Sequence, residues 1–251
     1  MPVFLARRDT VSTEHMESSA CDLERLYRTY RRFQVINTWL SRTRALYTRW
    51  LRPLMALEDR PYTLLDIGFG GGDILRALHH WAGRDGYDLA VTGIEVDQRA
   101  LDYVRHLQWP QGCAFRRESL AGLIAAGERY DFVISNHLLH HLPAAELRTL
   151  LVQAQTLARL RVVFNDVARS DLAWLGFAAL TRYGFSDTFI RDDGLLSIKR
   201  AYTYRELRAL APPDWRLERL LPFRLVLHYT HYKNGGRHTR GEEPHSCAPD
   251  P

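Results

Sequence analysis

Cysteine is scarce in this chain, and the few cysteines are far apart. Cys21, Cys113 and Cys247 are the only three among 251 residues. An odd number with this spacing fits neither a disulfide framework nor a zinc site, and it indicates a reducing compartment. The sequence therefore predicts a cytoplasmic protein whose fold does not depend on disulfides.

Long apolar runs are also missing, because charged residues interrupt each of them. The chain is therefore not expected to be an integral membrane protein. The apolar stretch before Arg7 is too short for a signal peptide. Hydrophobic residues nevertheless make up 46% of the chain, which supports a buried core. The length suits one α/β domain with additional elements.

Lysine is nearly absent, so the net charge of +5 comes almost entirely from arginine. The densest group, Arg42, Arg44, Arg49 and Arg52, lies in a predicted helical segment and favours a solvated helix face. An anionic substrate or RNA is the alternative interpretation. Because no RNA-binding appendage is visible, nucleic acid is not an expected partner.

The most informative motif is a glycine-rich turn after a short apolar strand. The apolar run from Tyr62 to Leu65 ends in Asp66, and a helical pattern starts near Ile74. Between them the spacing D-x-G-x-G-x-G places glycines at positions 68, 70 and 72. A dinucleotide-binding turn has the spacing G-x-G-x-x-G. Position 73 is Asp and position 75 is Leu, so neither possible frame fits a dinucleotide site.

Two further strands with polar ends follow at suitable distances. Leu89–Asp97 reads as a strand that ends in two acids, Glu95 and Asp97. A carboxylate at such a position can accept hydrogen bonds from both hydroxyls of a ribose. The apolar strand Tyr130–Asn136 ends in Asn136, and a segment containing His137, His140 and His141 follows it directly.

These three elements together resemble the class I S-adenosylmethionine (SAM) methyltransferases, over roughly residues 60 to 230. The resemblance implies an α/β, Rossmann-like fold with a seven-stranded, mostly parallel sheet and an antiparallel last strand. It also implies helices on both faces of the sheet and an N-terminal helical lid. The cofactor would be SAM, and the product S-adenosylhomocysteine (SAH).

The resemblance also assigns roles to individual residues. Asp66 and Asn136 would lie near the methionine part of the cofactor, Glu95 would bind the ribose, and Val96 would lie against the adenine. Asp97 is the alternative ribose ligand, but it is better placed to cap the following helix. The implied cofactor-binding residues are Asp66, Gly68, Gly70, Gly72, Asp73, Glu95, Val96 and Asn136.

The chain divides into segments of different character. Residues 1–19 are polar and expected to be flexible, and residues 20–58 read as two helices with a break near Ser41. These helices form either a lid over the cofactor or a simple packing pair. The methyltransferase domain is predicted over 59–233, with a lid insertion at about 167–202. A disordered tail is predicted over 234–251.

The insertion gives the best sequence indication of the acceptor, because it is rich in aromatic and large apolar residues. Residues 165–170 and 197–202 resemble a bacterial subgroup associated with aromatic polyketide or quinone-like metabolites. The implied reaction is O-methylation of a small phenolic or quinol acceptor. The alternatives are a C- or N-methyltransferase and a non-catalytic SAM-binding protein. The sequence leaves open whether the protein is a monomer or a homodimer.

A phenol, with a pKa near 10, needs a base, and histidine is the natural one near neutral pH. His141 and His137 are the predicted catalytic residues, whereas His140 is expected on a helix surface. Either predicted base could instead cap a carbonyl or pack under the lid. No metal site is expected, even with His228 and His231 added, because no acidic set accompanies these histidines.

Overall fold

The computed structural model describes residues 2–231, so the predicted disordered tail at 234–251 lies outside the described residues. Seven strands form one sheet in the order β3-β2-β1-β4-β5-β7-β6. The strands are β1 (Tyr62–Ile67), β2 (Leu89–Glu95), β3 (Cys113–Arg117), β4 (Tyr130–Asn136), β5 (Ala158–Val167), β6 (Arg216–Leu220) and β7 (Arg224–Thr230). The last strand, β7, is antiparallel to both of its neighbours, β5 and β6. This topology confirms the predicted fold class.

Helices cover both faces of the sheet. Successive side chains of each strand point to opposite faces, so apolar residues on both faces need covering. Leu64 of β1 packs into one core and Leu65 into the other. The helices are α1 (Leu23–Trp39), α2 (Thr43–Leu46), α3 (Arg52–Met55), α4 (Asp73–Arg84), α5 (Gln98–Arg105), α6 (Leu120–Ala125), α7 (Ala144–Leu157), α8 (Asp171–Leu180), α9 (Ile190–Arg200) and α10 (Tyr204–Leu210). Within residues 2–231, none of them is long and apolar enough to cross a bilayer.

The helical region before the sheet has the break that the sequence predicts. Helix α1 ends at Trp39, and α2 begins at Thr43, so Ser41 lies in the gap. A π-helical turn over Tyr47–Leu51 then connects α2 to α3. Pro53 lies in the first turn of α3, directly after the π-helical turn, and its missing N–H interrupts the helical hydrogen bonding at this junction. The chain therefore reaches β1 through one bent helical segment.

The N-terminal segment differs from the prediction of flexibility, because residues 2–19 pack against the rest of the protein. The Asp171 carboxylate accepts the backbone N–H groups of Val3, Phe4 and Leu5. The Arg8 guanidinium donates to the carbonyl oxygens of His140, at 2.7 Å, and Leu142, at 3.0 Å. These partners are far away in the chain, so the composition of the segment alone does not reveal them.

The predicted insertion consists mainly of α8 and α9, which pack against each other. Their apolar residues Ala173 and Ile198 form a small core with Leu5 of the N-terminal segment. The N-terminal segment and the insertion thus form one layer above the carboxyl ends of the strands.

Candidate functional site

A cavity of about 680 Å³ lies at the carboxyl ends of the central strands. In open α/β sheets this is the usual place for a ligand, since the strand order reverses there. The glycine turn after β1 and the ends of β2 and β4 form its floor. Helix α1, the N-terminal segment, the insertion and the β6–β7 turn form its walls.

The glycine turn approaches the cavity with left-handed backbone angles. Gly68 has φ +76° and Gly70 has φ +52°, a region in which glycine is at no disadvantage. Gly72 also has a positive φ, but it faces away from the cavity. A methyl group on Gly72 would lie 2.6 Å from the ring of Trp109. Gly72 thus packs against Trp109 and is not among the residues that line the cavity, and its cofactor contact stays a prediction.

Three carboxylates line the floor of the cavity next to this turn. They belong to Asp66 on β1, Asp73 at the start of α4 and Glu95 on β2. Burial raises the pKa of all three, and for Asp66 the charges of Asp73 and Glu95 raise it further. The amide group of Asn37 donates to Asp73 at 2.9 Å. This concentration of buried negative charge favours a cationic ligand.

Two buried polar atoms at this end of the cavity have no partner among the described residues. They are the Oδ1 acceptor of Asp66 and the Nδ2 donor of Asn136. Buried polar groups are normally paired, so an orphaned acceptor and donor indicate a missing ligand. The amino-acid part of SAM carries an ammonium group and a carboxylate, which match these two atoms. The residues present therefore fit the cofactor.

Glu95 and Asp97, the two candidate ribose ligands, have different surroundings. The Glu95 carboxylate accepts the backbone N–H of Val96 at 2.9 Å and lies against the glycine turn. Asp97 accepts the backbone N–H of Arg99 and pairs with its guanidinium. The predicted helix-capping role of Asp97 is confirmed. Val96 lies at the cavity rim and is 69% exposed, which leaves its side chain open to a flat ligand.

His137, a predicted base, lines the cavity directly after β4. Its φ of +60° is unusual for a residue with a side chain, and the angle turns the ring toward Ser41. The Nε2 atom lies 2.7 Å from the Ser41 hydroxyl and 3.4 Å from the Arg224 guanidinium. Burial, and then the charge of Arg224, hold the pKa of His137 well below its usual range. This imidazole is therefore neutral at pH 7.

The expectation that His140 lies on a helix surface is wrong, since the side chain is only 1% exposed. The histidine pair occupies a 3-10 turn, Leu139–His141, that folds back onto the end of β5. There the Asp166 carboxylate lies 2.8 Å from Nδ1 of His140 and accepts its backbone N–H. Burial lowers the pKa of His140, but Asp166 and Glu14 outweigh this effect and raise it to about 9.

His141, the other predicted base, contacts the N-terminal segment. Its Nδ1 pairs with the carboxylate of Glu17, which also accepts a hydrogen bond from Arg200. Burial raises the pKa of Glu17, but these two partners outweigh it and hold the pKa at about 2. The structure thus brings His137, His140 and His141 to one wall of the cavity. His228 instead pairs with Glu218 and packs on Trp50.

The opposite end of the cavity is apolar and comes largely from the insertion. Phe177 and Leu180 of α8 face it, together with Ile190 of α9. Gly194 leaves room for the ring of Phe177, because a methyl group at that position would lie 2.4 Å from it. The insertion thus supplies the apolar, partly aromatic wall that its composition predicts.

Several residues of the site are not among the predicted ones. Glu14 and Glu17 come from the segment expected to be flexible. Asn37 comes from the helical lid, and Arg224 from the start of β7. Arg224 is buried and donates to Asn136 Oδ1 at 3.0 Å and Asn165 Oδ1 at 3.1 Å. Two polar residues at the end of the apolar strand β5, Asn165 and Asp166, were the available sequence signal for this network.

Comparison with known proteins gives one family match. Residues 64–160 match the family model described as "Methyltransferase domain". The matched segment runs from β1 to the beginning of β5, and so includes the glycine turn, Glu95 and the three histidines. No curated protein sequence matches the chain.

Solved structures with a similar fold include several methyltransferases. The plantazolicin methyltransferase BpumL, solved with a triazolic desmethylPZN analog and SAH, has a TM-score of 0.58 at 13% identity. That match covers 84% of this chain and 96% of BpumL. The magnesium protoporphyrin IX methyltransferase ChlM from Synechocystis PCC 6803, with bound SAM, has a TM-score of 0.51 at 14% identity, covering 86% and 100%.

A third similar structure is the O-methyltransferase family 2 protein from Planctomyces limnophilus DSM 3776 in complex with apigenin. Its TM-score is 0.53 at 15% identity, and the match covers 85% of this chain and 63% of that one. At such identities these structures establish a shared fold. Together with the family match, they confirm the predicted resemblance.

Proposed function

We propose that this chain, a class I SAM-dependent methyltransferase acting on a small molecule, transfers the methyl group to an oxygen of an apolar aromatic acceptor. The supporting observation is that the cavity at the carboxyl ends of the strands has both a polar, acidic part and an apolar part in its lining. Carboxylates line the floor at the cofactor end, and Phe177 and other apolar residues line the far wall. The three histidines line the same cavity.

At the cofactor end, each residue has a role that its surroundings support. The Asp66 carboxylate binds the ammonium group of the cofactor, and the Asn136 amide binds its carboxylate. Glu95 accepts hydrogen bonds from the ribose hydroxyls, since backbone N–H groups already hold its side chain in place. Gly68 and Gly70 let the backbone come close to the ligand, Asp73 adds negative charge, and Val96 lies against the adenine.

When bound, SAM supplies a methyl group attached to a positively charged sulfur. Displacement by an acceptor oxygen releases SAH, in which the sulfur is neutral. The bond from oxygen to the methyl carbon forms as the carbon–sulfur bond breaks, and that electron pair stays on sulfur. The protein contributes mainly by aligning the two reactants and excluding water. The buried carboxylates stabilise the cationic cofactor in the aligned position.

The proton of the acceptor hydroxyl passes to the wall of the cavity that contains His137, His140 and His141, the histidine wall. Among the predicted bases, His141 has the better support, because the Glu17 carboxylate pairs with Nδ1 and orients the ring. Protonation of His137 is opposed by burial and by the Arg224 guanidinium. His140 has a carboxylate beside each ring nitrogen, so it serves to position its neighbours.

The test is methyl transfer to a panel of phenols with SAM as donor, followed by mass spectrometry of the products. Apigenin is a suitable first phenol, because a protein of similar fold has been solved with it. Methyl ethers of the same phenols serve as controls, since their oxygens are blocked. Methylation of the phenols alone supports O-transfer, whereas methylation of the blocked compounds indicates transfer to carbon.

Replacing Phe177 by Ala should raise KM for an aromatic acceptor by roughly 10- to 150-fold, because ring burial contributes about 1.5–3 kcal/mol. The affinity for SAH should not change, since Phe177 belongs to the far wall. Steady-state kinetics and calorimetry measure the two quantities. Leu172→Ala is the matched control on the same helix, where the side chain is exposed. Equal KM values for both variants would contradict the assignment of the acceptor wall.

Affinity for SAH should decrease as the pH falls. The carboxylates must be ionised to bind the ammonium group, and burial raises the pKa of Asp66, Asp73 and Glu95 in the free protein. Lowering the pH through these raised values protonates the acids and removes their attraction for the ligand, so binding within this pH range releases the protons that the acids hold in the free protein.

Calorimetric titration with SAH at about pH 8 and at about pH 5.5 measures this change in affinity. Both pH values lie above the usual pKa range of carboxyl groups, so carboxyl groups with ordinary pKa values stay ionised at both. Repeating it in buffers of different ionisation enthalpy counts the protons released. Affinity that stays constant or increases at the lower pH would contradict the role of these acids.

A further inference from the structure

Glu14, His140 and His141 come together at the histidine wall from two distant parts of the chain. One ligand atom from each residue lies within 4.8 Å of the others. Glu14 and His140 are buried, and all three side chains line the cavity. Carboxylate oxygen and imidazole nitrogen are common ligands of divalent transition metals.

The spacing within this cluster suits an ion better than a direct hydrogen bond. Nε2 of His140 lies 3.4 Å from Oε1 of Glu14, and this nitrogen has no hydrogen-bond partner among the described residues. N–H···O bonds are usually 2.7–3.2 Å long. Two ligands at about 2.0–2.1 Å from a tetrahedral ion lie about 3.3–3.4 Å apart. An orphaned, buried nitrogen thus stands at the separation expected of a metal ligand.

Each residue of the cluster is also held by a second polar group. Asp166 lies against Nδ1 of His140, and Glu17 lies against Nδ1 of His141. Metal-binding histidines usually donate their other ring N–H to a carboxylate, which orients the ring. The Ser197 hydroxyl donates to Oε1 of Glu14 at 2.7 Å. The two imidazoles thus share the same arrangement, with Nδ1 occupied.

We propose that Glu14, His140 and His141 bind a divalent transition-metal cation of the Zn²⁺ class, with an open coordination position facing the cavity. This inference rests on the proposed function, in which the hydroxyl oxygen of the acceptor would bind at the open position. Binding of the ion displaces the Nε2 proton of His140 to solvent, because only a neutral imidazole binds a metal. The hydroxyl proton of the acceptor then also leaves to solvent, in place of its transfer to a histidine, so the acceptor reacts as a metal-bound oxyanion. The ion then activates the oxygen, and His141 acts as a ligand instead of a base.

The sequence predicts no metal site, because no acidic set accompanies the histidines. The fold supplies that acid from the N-terminal segment. Asp193 accepts the backbone N–H groups of His15 and Met16, at 2.8 and 3.0 Å, and so fixes Glu14 beside His140. The site is complete only when this segment is packed on the insertion.

The experiment is calorimetric titration of the chelator-treated, full-length protein with Zn²⁺. We expect a binding event of one ion per chain that Glu14→Gln and His141→Gln each weaken by at least about 100-fold, the upper end of the effect of losing a second-shell partner. His106→Gln is the matched control, because His106 is exposed and outside the cluster. His238, His245 and Cys247 lie outside the described residues, and all variants retain them, so any binding there appears equally in each.

Equal Zn²⁺ affinity in the wild type, Glu14→Gln and His141→Gln would overturn the proposal, as would the absence of binding in the wild type. SAH titrations of the same proteins show whether each variant is folded and test the cofactor site separately. Zn²⁺ binding at the cluster without SAH binding would support the metal site and contradict the proposed function. If SAH binds but the cluster variants do not change the affinity for Zn²⁺, the result would support the proposed function and contradict the metal site.

Discussion

We expect Gly70→Val to abolish the binding of SAH and Gly127→Val to leave SAH binding intact. Gly70 lines the cavity in the left-handed region, at φ +52°. A valine there would project two methyl groups into the space that the cofactor needs. A branched residue is also strongly disfavoured at this backbone angle. The variant therefore loses both the space and the backbone shape of the turn.

The control separates these two effects. Gly127 has φ +71°, and a methyl group built on it meets no atom within 4 Å. Both variants therefore incur backbone strain of about 1–3 kcal/mol. Only Gly70→Val places a side chain in the cavity. Calorimetry with SAH measures the affinity, and thermal unfolding shows whether each variant is folded. Unchanged affinity in a folded Gly70→Val protein would contradict the assignment of the glycine turn to the cofactor.

Glu95→Ala should weaken SAH binding by about 2 kcal/mol, or roughly 30-fold, the usual scale of hydrogen bonds to a charged group. Glu95 is held against the glycine turn by backbone N–H groups, so its carboxylate is in position before the ligand arrives. Removing it takes away the acceptor for the ribose hydroxyls. Calorimetric titration of the variant with SAH provides the measurement.

Asp97→Ala is the matched comparison, two residues further along. Its carboxylate caps α5 and pairs with Arg99, so we expect a loss of about 1 kcal/mol in the free energy of unfolding. SAH affinity should remain near the wild-type value. If Asp97→Ala weakens SAH binding and Glu95→Ala does not, Asp97 is the ribose ligand and our assignment is reversed.

The elements that the sequence predicts best are those with local signals. Strand β4 has the predicted bounds, Tyr130–Asn136, because an apolar run ends there in a polar residue. The glycine turn depends on backbone angles that only a few neighbouring residues set. In each case the residues that determine the structure lie within one short window.

The errors come from contacts between distant segments. Residues 2–19 look flexible because their partners, such as Asp171 and Asp193, belong to the insertion. His140 looks exposed because Asp166, which holds it, comes from the next strand. Gly72 looks equivalent to the other glycines of its turn, although the ring of Trp109 lies directly against it. A residue pattern cannot show which side of a turn faces a ligand when the opposite side is packed by a remote ring.

The packing of the N-terminal segment on the insertion also bears on how such a chain could change its specificity during evolution. The family model covers residues 64–160, which contain the cofactor end of the cavity. On the proposed function, the acceptor wall consists of α8, α9 and residues 2–19, which lie outside that range and contact one another. Substitutions in these segments would be selected together, because Asp171 and Asp193 tie them into one unit. A lineage could thus acquire a new acceptor while inheriting its cofactor site unchanged.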